Sequence, residues 1–171
     1  SFFLFIMKFS SYLTVVFFVT VIYNTAAEKK IPNKFLGKFE LEKSENFDEY
    51  LVAKGFGWFM RKMISLASVT KIFENSKTSG KYIMKNLTSK KNTEYDNIVL
   101  GEEFEAEGLD STQHKITFDY NPDKDVVTEK HIRLEEPDDK GETYEYKIDG
   151  DYLVMKMEYN GVSTNRYYKR T

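Results

Sequence analysis

Arg166 and Tyr168 stand two residues apart in "GVSTNRYYKR", Gly161 to Arg170, and the residues before them are "YLVMKMEYN". Asn160-Gly161 between two alternating stretches is a strong hairpin signal. A two-residue turn there pairs Tyr159 with Val162, Met157 with Thr164, Met155 with Arg166 and Leu153 with Tyr168, and paired residues share a face. Arg166 therefore belongs with Leu153, Met155 and Met157. Val154, Lys156, Glu158, Ser163, Asn165, Tyr167 and Lys169 make the wetter face. Turning a guanidinium into an apolar interior is costly unless an anion and hydrogen bonds compensate. The Tyr168 hydroxyl beside it would help to hold a carboxylate. An inward Arg-x-Tyr among methionine and leucine thus implies an amphiphile with an acid head, the tail lying against Leu153, Met155 and Met157. Three alternatives stay open: Arg166 snorkels to a barrel end, pairs with an internal Asp or Glu, or is turned outward by a bulge.

The elements that must position this pair can be read along the chain. "FLGKFELEK" (35–43) alternates and predicts a strand, with Phe35, Gly37, Phe39 and Leu41 on one side. The period then changes. Asn46 with Glu49 three residues on resembles a capping box, Phe47, Tyr50 and Leu51 form one apolar stripe, and Gly55 suits a helix end. A second helix is predicted from about Trp58 to Ala67, with Met60, Met63, Ile64 and Ala67 on one face. After Val69 the chain reads as strands cut by turn chemistry at Ser79-Gly80, Gly101, Asn121-Pro122-Asp123, Pro137-Asp138-Asp139, Asp149-Gly150 and Asn160-Gly161. One strand, a helical pair and a long meander predict an all-β domain with a closed or nearly closed antiparallel sheet.

Composition agrees. The 171 residues include 12 Tyr, 14 Phe and only 3 Pro, a balance that favours a pleated, half-buried surface. A net charge of −2 argues against a nucleic-acid partner. There is no cysteine for a disulfide or thiolate metal site. His114 and His131 sit in no metal or nucleophile motif and read as structural. No G-x-S-x-G, H-E-x-x-H or phosphate loop appears, so neither catalysis nor a cofactor is expected.

Met7-Lys8 begins a secretory-signal layout: one positive charge, an apolar stretch from Tyr12 to Tyr23 and the small residues Thr25-Ala26-Ala27. Cleavage would leave one domain from 28 to 171, secreted and extracellular, and the residues 1–27 would not belong to its core. A retained anchor is the other reading of the segment 1–23, which is long enough to span.

From Phe35 to Lys169 the chain resembles the fatty-acid-binding proteins, the intracellular lipid-binding branch of the calycins. "GKFELEKSENFDEYLVAK" (37–54) looks like that family's N-terminal signature, "VLGEEFE" (99–105) its mid-chain motif and "GVSTNRYYK" (161–169) its C-terminal Arg-x-Tyr segment. The leader, "FGWFMRK" (56–62) and "LDSTQHKITFD" (109–119) are similar to a secreted nematode branch. The resemblance implies a ten-stranded β-barrel, or β-clam, with a helix-turn-helix lid and one long-chain fatty acid inside. It implies that Arg166 and Tyr168 hold the carboxylate and that the helices form a portal with Phe47, Tyr50, Leu51, Phe56, Met60, Met63 and Ile64. It also implies a monomer, and leaves transient membrane contact open. Where many members carry a second arginine this chain has Tyr146, so a tyrosine or a water would complete the carboxylate site. Two loops, within Phe73–Lys85 and Leu134–Glu142, are longer than the family's.

Weaker signals remain. Lys90-Lys91 is placed by the resemblance on a turn near the portal, with Lys91 able to steer anions, although a solvated basic surface is the plainer reading. Asn86-Leu87-Thr88 is a glycosylation sequon in an expected strand. Trp58 reads as lid or core packing. Three functions follow in order: a secreted fatty-acid carrier, a carrier of a retinoid or other lipophile, and an extracellular interaction module using the enlarged loops.

Overall fold

A computed structural model describes residues 29–171, so the leader expected over residues 1–27 lies outside the described residues. After a 3-10 turn at Asn33–Phe35, the elements are β1 (Gly37–Glu45), α1 (Phe47–Ala53), α2 (Trp58–Ser65), β2 (Val69–Asn75), β3 (Tyr82–Thr88) and β4 (Thr93–Ile98). Then come β5 (Glu103–Glu107), β6 (Gln113–Asn121), β7 (Val126–Arg133), β8 (Glu142–Asp149), β9 (Tyr152–Tyr159) and β10 (Val162–Arg170). These ten strands form one antiparallel sheet in the order β4-β3-β2-β1-β10-β9-β8-β7-β6-β5. Consecutive strands pair, apart from β4 and β5, and β1 also pairs with β10, which bends the meander round into a barrel. β4 and β5 end the order, and the seam between them is spanned by side chains: the Tyr95 ring lies 5.7 Å from Phe104 and 6.3 Å from Phe118.

The terminal hairpin has the register that its turn chemistry predicts: Val162 faces Tyr159, Thr164 faces Met157, Arg166 faces Met155 and Tyr168 faces Leu153. Asn160 and Gly161 take φ of 48° and 78°, the left-handed pair that a two-residue turn needs and that Asn-Gly tolerates. Alternate residues of each strand point inward, giving a core that includes Phe39, Met84, Ile116, Phe118, Leu153 and Tyr168.

Three local expectations are corrected. β1 starts at Gly37, while Phe35 belongs to the 3-10 turn, where its amide donates to the Pro32 carbonyl at 2.9 Å and its buried ring meets Tyr120 edge-on at 6.0 Å. Asn46 makes no side-chain cap. Its left-handed backbone, φ 57°, directs the amide across to β10, where Nδ2 donates to the Ser163 carbonyl at 2.7 Å. Trp58 is 66% exposed, so it packs neither in the core nor under a lid. α2 ends at Ser65 and buries none of its residues completely, whereas α1 inserts Tyr50 and Leu51 into the core and ends, as expected, before Gly55 at φ 84°.

Candidate functional site

Tyr168 is fully buried on β10, and its hydroxyl has the thioether of Met155 as acceptor at 3.7 Å. Burial raises its pKa; Arg166 lowers it and Glu129 raises it further. Sulfur is a weak acceptor, so this hydroxyl can turn to a better one at little cost. Arg166 lies on the same face one pair nearer α1, where its guanidinium lies 4.3 Å from the centre of the Phe47 ring and 5.8 Å from that of Tyr168. Its Nε donates to the Ser44 Oγ at 3.3 Å. Arg166 is half-buried and lines a cleft of about 580 Å³ between β1, α1 and the end of α2, together with Leu41, Phe47 and Ala67 and the carboxylates of Glu42, Asp48 and Glu49. Arg166 is therefore on the inner face with its head toward the barrel mouth. The bulge in this region lies in β1, between Leu41 and Lys43, so β10 keeps its register.

Tyr146 stands two strands from Arg166, both paired to Met155. It is fully buried, and its hydroxyl donates to the Glu129 carboxylate. Glu129 also takes a contact of 2.7 Å from His131 Nε2. Burial by itself would raise the Glu129 pKa, but the Lys71 charge, then His131 and Tyr146, outweigh it and hold it at about 2. Lys71 on β2 is the other buried charge of this interior. Its Nζ donates to Asn86 Oδ1 at 2.7 Å and lies 5.2 Å from the centre of the Tyr146 ring and 5.8 Å from that of Tyr168. Burial pushes this ammonium down, Glu129 pulls it up and Arg166 presses it down again, leaving about 8 in place of 10.5.

Lys71 and Glu129 were not among the residues singled out from the sequence. The signal was in the alternation: Lys71 sits between Val69 and Phe73 in period two, and Glu129 between Val127 and His131. Hydrophobic scanning passes over a charge on an inward position. Leu153, Met155 and Met157 are buried on the inner face of β9.

The expected portal residues separate into two groups. Tyr50 and Leu51 are buried and Phe47, Phe56 and Ile64 pack partly on the core, while Met60 and Met63 face outward with the rest of the exposed α2 surface. α1 is pinned by Lys54, which pairs with Glu142, the same carboxylate that accepts from the Tyr50 and Tyr144 hydroxyls at 3.0 and 3.1 Å. Lys91 pairs with Glu107 and donates to Ser111 Oγ at 2.8 Å, tying the β3–β4 turn to the β5–β6 turn. His114 Nε2 contacts Asp110 at 2.9 Å and Thr112 at 2.8 Å, a structural role like that of His131. Asn86 of the sequon points inward, is 3% exposed and bonds to Lys71 and Thr93. In the long β7–β8 loop, Asp139 accepts the backbone amides of Arg133 and Gly141, both at 2.8 Å.

No family-level profile matches the chain. It is 60% identical over 145 residues to a fatty acid-binding protein homolog of Ascaris suum, covering 83% of this chain and 87% of that one. It is 51% identical over 160 residues to fatty acid-binding protein homolog 3 of Caenorhabditis elegans, covering 94% and 96%. Among solved structures, As-p18, described as an extracellular fatty acid binding protein, superposes with a TM-score of 0.81 at 58% identity, covering 84% of this chain and all of that one. Fatty-acid-binding protein 1 of Echinococcus granulosus superposes at 0.66 with 27% identity, covering 82% and 99%.

Proposed function

The chain belongs to the fatty-acid-binding protein family, and from that membership we propose that it is an extracellular carrier of a long-chain fatty acid, with the carboxylate held by Arg166 and Tyr168. The observation that carries the reading is the Tyr168 hydroxyl. It is fully buried, has only a thioether as acceptor among the described residues, and shares its face with a guanidinium that makes no ion pair there. An acid head between the two would give the hydroxyl a charged acceptor and the guanidinium a counter-ion, the arrangement in which hydrogen bonds are strongest. Tyr146, engaged with Glu129, shapes the wall beside the head instead of gripping it.

The tail and the head do different work. Burying about fourteen methylenes at ~0.8 kcal/mol each is worth roughly 11 kcal/mol gross. A charge-assisted bond to the head adds about 1.5 to 3 kcal/mol. The tail, against Leu153, Met155 and Met157, supplies most of the affinity, and Arg166 supplies orientation and the preference for acids. Entry runs past α2, which buries none of its residues completely, and through the cleft that Arg166 lines. Export is supported by the leader-like sequence and by the extracellular relative.

Displacement of a fluorescent fatty acid by oleate, by oleyl alcohol and by retinol tests the reading on the chain from residue 28. Micromolar or tighter oleate binding, weakened selectively for the acid in Arg166→Met, is the expected result. A protein that binds no fatty acid, or one that prefers retinol, overturns it.

A further inference from the structure

Tyr146 cannot serve the ligand while its hydroxyl is bound to Glu129, yet the interior still holds more positive than negative charge. The buried charges among the described residues are Lys71 and Glu129, and Arg166 adds a half-buried second cation. Two cations face one carboxylate. Glu129 is itself satisfied by His131 and Tyr146, and Lys71 by the neutral amide of Asn86. Arg166 makes no ion pair among the described residues although Glu42, Asp48 and Glu49 line its cleft, and both cations look onto the same ring: Lys71 Nζ and the Arg166 guanidinium each lie 5.8 Å from the centre of Tyr168.

We propose that Lys71 on β2, two strands from β10, is the second cationic anchor of the ligand carboxylate, acting with Arg166 and Tyr168. The proposal rests on the carrier reading and deepens it by assigning the head-group site a residue from a different strand. An ammonium carries three donors, so Lys71 can keep its bond to Asn86 and still donate to a ligand oxygen. A carboxylate placed between two cations also relieves their mutual repulsion, which the desolvated interior leaves poorly screened.

The groups that face Lys71 are Asn86 on β3, Glu129 with His131 on β7, Tyr146 on β8, and Arg166 and Tyr168 on β10. Of these the tyrosines are raised above their ordinary range, so they stay neutral through weakly alkaline conditions. Lys71, already held at about 8, is the group that loses its proton there. An arriving carboxylate favours the charged ammonium and raises its pKa. Below pH 8 the proton is present with or without ligand, and affinity is full. Above pH 8 binding must take up a proton, and affinity falls by up to about tenfold per pH unit.

The test measures oleate and oleyl alcohol affinities from pH 7 to 10 on wild type, Lys71→Met, Arg166→Met and the double variant Lys71→Met/Glu129→Gln. The double variant removes both buried charges and supplies a folded comparison if the single one is unstable. Expected are a loss of about tenfold to a hundredfold for oleate at pH 7 in both Lys71 variants, unchanged binding of oleyl alcohol, and disappearance of the alkaline fall in affinity. Arg166→Met should weaken oleate binding but keep that fall. Lys71 variants with wild-type oleate affinity and the same pH profile overturn the assignment and leave the carrier reading standing. Wild type that binds neither oleate nor the alcohol overturns the carrier reading itself.

Discussion

Tyr146 on β8 donates its hydroxyl to Glu129 on β7, so two fully desolvated side chains of adjacent strands share a hydrogen bond. Replacing Tyr146 by Phe leaves a buried carboxylate short of one donor, which costs about 1 to 3 kcal/mol. Urea unfolding should show that loss, while oleate affinity stays close to wild type. An affinity loss as large as that of Arg166→Met would instead put the Tyr146 hydroxyl on the ligand.

Glu129 also makes acid stability specific. Its pKa is lowered from 4.5 to about 2 in the fold, so its contribution is complete above pH 4.5 and is lost as the pH falls toward 2. The size is on the order of 3 kcal/mol. Wild type should lose that much between pH 5 and pH 2 relative to Glu129→Gln, read from urea midpoints at each pH. Parallel curves for the two proteins would show that Glu129 does not titrate with the fold.

The sequon at Asn86 should stay bare. Its amide lies inside the barrel against Lys71 and Thr93, where a glycan has no room. Intact mass of protein made through a secretory pathway should equal that of the bacterial product with the same ends. A glycosidase-sensitive mass increase at Asn86 would mean that modification precedes folding.

The two helices should answer differently to truncation. Leu51→Ala on α1 removes a side chain that is 3% exposed and should cost about 2 to 5 kcal/mol. Met60→Ala on α2 removes one that is 50% exposed and should stay within about 0.5 kcal/mol. Thermal and urea unfolding check both. A comparable loss at Met60 would show α2 packed down in solution.

Period and turn chemistry made most of this barrel legible from sequence. Asn160-Gly161 sets the register of β9 and β10 pair by pair, so the turn chemistry alone places Arg166 on the Tyr168 face. How far its head reached could not be read, because that depends on Phe47 and Ser44 arriving from the other end of the chain. At Asn46 the sequence does not separate two uses of the side chain, and only the left-handed backbone at that residue selects the bond to Ser163. Lys71 and Glu129 were passed over for a physical reason too: each is tolerable inside only because non-local partners compensate it, and pattern scanning weighs residues singly.

The pairing of β1 with β10 sets the order in which this protein can become whole. The Thr164 hydroxyl donates at 2.6 Å to the Glu45 carbonyl, across 119 residues, and the last amide, that of Thr171, donates at 3.0 Å to the Lys38 carbonyl. Closing so long a loop is entropically slow, and proteins built on such contacts fold late and slowly. On the ribosome the first strand must wait beside β2 with its other edge unpaired until the final hairpin emerges. During that interval β1 is an open template for a neighbouring chain, and the charges of "KFELEKSE" along it are what a nascent chain has to discourage the wrong partner.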